Sequence, residues 1–259
     1  MGKTRNLSWT IDGGRLRERV DKRGRRRSNG YRSFQAGWVE LRPLVVYVLD
    51  DQGKLAHASL APRDQMFATT GKLLKNIEIE KAECVIIAAD EQHWQWKELR
   101  EMVLTAGVQE DRIVEVLDMC HALGRLSELS HKPARWKQGA RMRWCFEGKK
   151  LVKSGDVDGL VSHCLELAKG SRVKSVKSLT SYFEKHRPRM DYGSFQKQVI
   201  PTGSGAMESM IRQMINMRLK GCGKFWMRAR AERMLMLRSW WVVGRLEDLW
   251  RFTLRYEAR

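Results

Sequence analysis

Three carboxylates in this chain stand where metal-assisted phosphodiester chemistry would need them. Asp12 follows an opening strand read at 6–11, Asp90 ends the apolar run 84–89 (CVIIAA), and Glu208 opens a helix after the glycine-bearing stretch 201–205 (PTGSG). Strand ends of one α/β sheet lie close in space however far apart they are in sequence. Acids gathered there can hold two Mg²⁺ ions ~3.5–4 Å apart, one activating an attacking water or 3′-hydroxyl and the other stabilising the leaving oxygen. Mg²⁺ takes hard oxygen donors and keeps several waters, so carboxylates suit it better than His or Cys. Each acid also has a plainer reading. Asp12-Gly13-Gly14 makes an ordinary hairpin turn, Asp90 can cap the helix beginning near Trp94, and Glu208 suits a first helical turn or a pair with Arg212 four residues on.

The elements that must position these residues alternate. Short strands are expected at 6–11, 34–41 and 44–49 (LVVYVL), with 15–27 too charged for a core and forming an exposed hairpin or loop. A turn at 50–53 precedes a helix at 64–75, then the strand 84–89, a helix at 94–106 and a strand at 112–117 (RIVEVL). The remainder reads as helices at 119–130, 132–147, 156–168 and 171–187, a loop over 188–205, and helices at 206–220, 224–243 and 245–254. The order β-β-β-α-β-α-β followed by helices is that of an RNase H-like α/β fold, a mixed sheet with helices covering it. The expected organisation is a core segment 1–121, a basic all-α insertion at 122–200 before the last catalytic helix, and the C-terminal core helices 201–259. Ile211 and Ile215, three and seven residues after Glu208, would share its face and pin it against the sheet.

The net charge of +19 is strongly segregated. Residues 15–27 carry eight Lys/Arg against two acids, 132–190 fifteen against five, and 209–259 twelve against four, whereas 44–131 carries nine against fifteen. Basic surfaces of this size attract polyanions, and Lys/Arg contacts to phosphate supply affinity without sequence preference. Nucleic acid is therefore the expected partner class. The five cysteines include no C-x-x-C pair, which argues against a disulfide framework and a cysteine zinc site. No stretch approaches ~20 apolar residues, and the first ten residues carry no apolar signal region, so an intracellular protein without membrane insertion is expected. Most of the ten tryptophans suit core packing, Trp240 and Trp241 among them. Trp94 is the candidate for stacking on an unpaired base.

Residues 201–212 (PTGSGAMESMIR) resemble the GSGxxES-x-x-R signature of a family of bacterial insertion-sequence DDE transposases, distantly similar to Mutator-like enzymes. The similarity continues through 215–221 (INMRLKG), Phe225-Trp226 and 231–238 (AERMLMLR). Upstream, 11–17 (IDGGRLR) resembles the family's first-Asp strand, 87–96 (IAADEQHWQW) its second-Asp segment with a W-x-W pair, and 116–121 (VLDMCH) its D-x-x-H. These matches fall in the family's order over nearly the whole chain. Two features depart from it: Glu91 stands where the family has Gly, and only eleven residues precede Asp12 where relatives carry a DNA-binding region.

The resemblance implies that Asp12, Asp90 and Glu208 are the catalytic, metal-holding acids for two Mg²⁺ ions, with Mn²⁺ as a substitute. Asp118 and His121 are implied as an auxiliary pair, Asp118 also suiting a cap on helix 119–130. The implied activity is metal-dependent cleavage at transposon ends and strand transfer into target DNA by a homo-oligomer in the cytoplasm, associated with the nucleoid. With so few residues before Asp12, either a separate upstream chain supplies end recognition or this is a truncated copy. Arg15, Arg17, Arg19, Arg212 and Arg218, with Trp94, are the expected DNA contacts. Two alternatives stand beside it: an inactive DNA-binding remnant, and an RNase H-like nuclease that cuts without transferring strands.

Overall fold

A computed structural model describes residues 5–9, 15–22, 26, 28–30, 33–48, 54–89, 93–203 and 205–257. It is a mixed α/β structure. The strands are β1 (Arg5–Trp9), β2 (Arg15–Asp21), β3 (Phe34–Glu40), β4 (Arg42–Val48), β5 (Lys54–Ser59), β6 (Val85–Ala89) and β7 (Ile113–Leu117). Five of them form a sheet in the order β5-β4-β1-β6-β7, and β2 and β3 form a separate two-stranded ribbon. β4 pairs antiparallel with β1 (Leu7 opposite Val46) and with β5 (Leu44 opposite His57).

The apolar runs explain the central strands. All five residues of β6 are buried, as suits a strand covered on both faces. Leu44, Val45 and Val46 of β4 are buried too. The strand expected at 34–41 does form, as β3, yet it pairs with β2 in the ribbon rather than joining the sheet. The place beside β4 goes instead to β5, whose small residues Ala58 and Ser59 lie buried. The highly charged 15–27 segment also contains a strand. Its one buried side chain, Leu16, sits opposite Val39 and joins the core while Arg15 and Arg17 point to solvent. The ribbon is closed toward its tip by the Lys22 amide donating to the Ser33 carbonyl at 2.8 Å. Trp226 clips it from outside: its amide donates to the Arg17 carbonyl and the Arg19 amide donates to its carbonyl, both at 2.9 Å.

The chain divides into two compact units, one of Met1–Val85, Lys97–Ile113 and Gly205–Arg259, the other of Ile86–Trp96 and Val114–Ser204. In the first, helix α1 (Arg63–Asn76) buries Met66, Thr70 and Leu74, a stripe at four-residue spacing. Helix α2 (His93–Thr105) starts in the second unit and contributes Leu99, Met102 and Val103 to the first unit's buried set. The second unit is mostly helical: α3 (Met119–Ser130), α4 (Gln138–Ser154), α5 (Val157–Leu165), α6 (Val173–His186) and α7 (Tyr192–Lys197). α4 stops at Gly155, which takes a left-handed φ of 77°. A side chain there would be strained in that conformation, and its Cβ would lie only 3.0 Å from the Met190 carbonyl oxygen.

The first unit closes with α8 (Gly205–Ile211), a π-turn over Arg212–Asn216, α9 (Met217–Leu219), α10 (Arg228–Val242) and α11 (Leu246–Glu257). α10 packs on β5 and on the π-turn. It presents Ala231, Leu235 and Ser239 as a narrow buried stripe. Glu232 fastens it to the end of β5, accepting from the Leu60 amide at 2.6 Å and the Ser59 hydroxyl at 3.0 Å. Arg228 of the same helix donates to the Leu60 carbonyl at 2.6 Å. Burial pushes the nearby His57 imidazole below its ordinary value of 6.5, against the pull of Glu232. A histidine with a lowered folded-state value contributes stability above about 6.5, and that stability is lost as pH falls, because the unfolded chain then takes up the proton first. The urea midpoint should therefore drop less between pH 7.5 and 5.5 in His57→Gln than in the wild type (roughly one unit either side of the free imidazole value). Parallel pH profiles would show that His57 does not titrate in this way.

Candidate active site

The D-x-x-H segment lies in the second unit, directly after β7. Asp118 is the N-cap of α3, as its position before that helix suggests. Its Oδ1 accepts from the Cys120 amide at 2.6 Å and the His121 amide at 3.1 Å. The carboxylate is 1% exposed. Burying a charge this deeply is tolerable because helix N-terminal N–H groups and the helix dipole both favour the anion. The His121 ring is more open, its Nδ1 3.8 Å from Asp118 Oδ1. That is beyond hydrogen-bond range but within ion-pair range for a protonated imidazole, while the His121 backbone amide makes the hydrogen bond to Asp118.

The backbone around Asp118 gathers two other motif segments of the same unit. The Asp118 amide donates to the Ala89 carbonyl at 3.3 Å, and the Met119 amide donates to the Thr202 carbonyl at 2.9 Å. Ala89 is the last residue before Asp90, and Thr202 lies in the glycine-bearing stretch six residues before Glu208 in the chain. From beneath, the fully buried Tyr192 at the start of α7 donates its hydroxyl to the Leu117 carbonyl at 2.9 Å. Burial pushes this phenol well above its ordinary range, with Tyr182, Asp118 and Cys120 adding to the effect. It therefore remains a neutral donor. The link has no sequence signal beyond an aromatic in what reads as a loop.

Trp96, second of the W-x-W pair, is a packing residue. It is buried, and the Arg189 guanidinium lies 4.5 Å from its ring while bonding Glu115 at 2.7 Å. Its indole N–H has no hydrogen-bond partner among the described residues. Asp12, Asp90 and the side chain of Trp94 lie outside the described residues.

In the first unit, Glu208 sits in the first turn of α8 and is exposed. Ile211 and Ile215 are buried. Ile211 lies in α8 with Glu208, whereas Ile215 falls in the Arg212–Asn216 π-turn, whose i→i+5 bonding breaks the 3.6-residue register between it and Glu208. Single π-turns of this kind occur frequently at functional sites. Arg212 and Arg218 are both exposed, as phosphate contacts would have to be. Arg238 donates to the Gln213 carbonyl within the π-turn and stacks on Trp241 at 4.0 Å.

On the ribbon, Arg15 and Arg17 are exposed and Arg19 is half-buried. The Arg17 guanidinium lies 5.2 Å from the Trp38 ring and 5.5 Å from that of Phe225. Arg19 lies 4.6 Å from Phe34 and pairs with Asp21 at 2.8 Å. Sequence reading singled out these arginines but missed their aromatic neighbours. The available signal was the two-residue alternation Phe34-x-Ala36-x-Trp38, which the register sets opposite Asp21, Arg19 and Arg17.

The donor set proposed for metal is all carboxylate oxygen, the chemistry Mg²⁺ prefers, and its described member, Glu208, presents its side chain to solvent. Among the described residues no group of three or more His, Cys, Asp or Glu side chains forms a cluster able to hold a metal. None of the five cysteines is in a disulfide, and burial with Glu166 nearby pushes the Cys164 thiol up to about 12. No described helix is long and apolar enough to cross a membrane. No family model matches the chain, and no match was found among curated proteins or solved structures.

Proposed function

We propose that this chain is the catalytic core of a DDE transposase of RNase H-like fold, which cleaves DNA at transposon ends and joins the freed 3′-hydroxyl to target DNA. The observation that carries the reading is the pair of backbone bonds donated by Asp118 and Met119. They draw the residue before Asp90, the D-x-x-H turn and the stretch leading to Glu208 to one place, although these lie at positions 89, 118 and 202. Three segments that carry the resemblance thus lie beside one another at the ends of neighbouring strands, which is consistent with the reading. The sheet order β5-β4-β1-β6-β7 adds support. With the ribbon set aside as an excursion between β1 and β4, it is a three-strand antiparallel start followed by two strands added on the other side of β1.

In this reading Asp12, Asp90 and Glu208 hold two Mg²⁺ ions, or Mn²⁺ in their place. Bound there, the ions would activate the attacking oxygen and stabilise the leaving one. Asp118 acts as a positioning residue, its carboxylate setting the α3 N-terminus and its amide holding the end of β6. Arg15, Arg17, Arg212 and Arg218 contact phosphates and hold the strand, a role their exposure permits. A homo-oligomer assembled on the element's two ends and a nucleoid-associated cytoplasmic location complete the proposal by analogy with the family it resembles.

The test is cleavage and joining of end-containing DNA by the purified chain in Mg²⁺, with EDTA and Asp90→Ala as controls. Cleavage and joining that both disappear in the two controls support the reading. Cleavage without joining points to a nuclease. DNA binding with wild type and Asp90→Ala equally inert points to a remnant, and overturns the enzymatic proposal.

A further inference from the structure

The outward face of the β2–β3 ribbon has a composition that phosphate binding alone does not call for. Residues directly opposite on an antiparallel pair share a face, and the register places Arg17 opposite Trp38, Arg19 opposite Ala36 and Asp21 opposite Phe34. The other face carries Leu16 and Val39, which pack against the core. The outward face therefore holds Arg17, Arg19, Phe34 and Trp38 together, and Phe225 joins them with its ring 5.2 Å from Phe34. Trp38 is 62% exposed and Phe34 37%. Arg17 lies against two rings and has no acidic partner among the described residues.

From this arrangement the geometry points to the ribbon face as a stacking platform for unpaired DNA bases, with Trp38 as its principal ring and Arg17 as its cation. The inference rests on the DNA reading above and deepens it by naming the form of DNA bound. Three features favour unpaired bases over duplex. Exposed aromatic faces gain little from a duplex backbone but stack on any single-stranded base. A guanidinium lying over an indole extends the flat surface and supplies a charge for the adjoining phosphate. Packing of Leu16 beneath and the Trp226 clip anchor the part of β2 that carries Arg17, beside Trp38. The face also begins at Arg15, three residues after Asp12 in the chain. A strand held there would run close in sequence terms to the first proposed catalytic acid.

The experiment compares binding of a labelled oligothymidylate of about 16 nucleotides with binding of a duplex of the same length, both without divalent metal, by fluorescence anisotropy. Trp38→Ala should weaken oligothymidylate binding about 10-fold or more, since each stacked base is worth a factor of roughly 5 to 150. Duplex affinity should stay unchanged, and Trp38→Phe should restore most of the loss because it keeps a ring. Circular dichroism verifies that the variants fold. Equal loss on both DNAs, or no recovery in Trp38→Phe, overturns the platform. If the wild type binds neither DNA, the DNA reading itself falls. If it binds both with the usual salt dependence while Trp38→Ala is indistinguishable from wild type, only the platform falls.

Discussion

Glu208→Gln should cut Mg²⁺-dependent DNA cleavage by at least about 10²–10³-fold, the loss seen when one preorganised charge-stabilising group is removed from an active site. The side chain keeps its shape and loses its charge, so the variant isolates the carboxylate. Glu208 is exposed in the first turn of α8. Surface substitutions of this kind usually change stability by less than about 0.5 kcal/mol, so the thermal midpoint should barely move. DNA binding should also persist, because the arginines proposed to contact phosphate are untouched. This combination of normal folding, normal binding and lost chemistry is what a metal-holding acid predicts. A variant that cleaves like wild type would remove Glu208 from the proposed triad. Substitution of Mn²⁺ for Mg²⁺ offers a second readout in the wild type, since the same oxygen donors accept both ions.

The largest stability effect is expected at Tyr192. Its side chain is fully buried and its hydroxyl reaches the Leu117 carbonyl. Tyr192→Ala deletes a buried ring and should cost roughly 3–5 kcal/mol, as large-aromatic truncations in cores do. Tyr192→Phe keeps the ring and leaves one carbonyl without its donor, at a cost of about 1–3 kcal/mol. Urea denaturation of both variants separates ring from hydroxyl. If Tyr192→Phe matched the wild type, the hydroxyl bond would contribute nothing and the site would rest on packing alone. The Phe variant also probes the active-site proposal. Leu117 is the residue before Asp118, so loosening its carbonyl should lower cleavage more than it lowers DNA affinity.

How much of this was legible in the sequence depended on how one-sided each signal was. Leu44–Val46 of β4 and all of β6 are apolar runs buried on both faces, and such runs read plainly. β5 did not, because KLAHAS is short and weakly apolar; it pairs with β4 along its length, and Glu232 and Arg228 of α10 fasten Leu60 just beyond its end. β2 was hidden by charge, since its only buried side chain is Leu16. α7 lay inside a stretch read as loop, although Asp191 caps it by accepting from the Ser194 amide. At the site, the cap role of Asp118 was visible from its place before a helix. The tertiary bonds to Ala89 and Thr202 were not, because backbone groups carry no residue-type signature. The π-turn after α8 had none either. It changed the expectation for Ile215, which no longer keeps a helical register with Glu208.

The Trp226 clip has a consequence for how this chain tolerates change in length. β2 is joined to β3 through the tip, and it is also held by residues far down the chain, through Arg17, Arg19 and Trp226. The tip beyond the Lys22–Ser33 bond can therefore lengthen or shorten between relatives, or even be severed, without releasing β2 from its place. The stretch from Leu219 to Trp226 has no such freedom. The Trp226 indole N–H donates to the Leu219 carbonyl at 2.9 Å, so that loop is cinched at both ends. Evolutionary insertions should accumulate at the first position and be purged from the second.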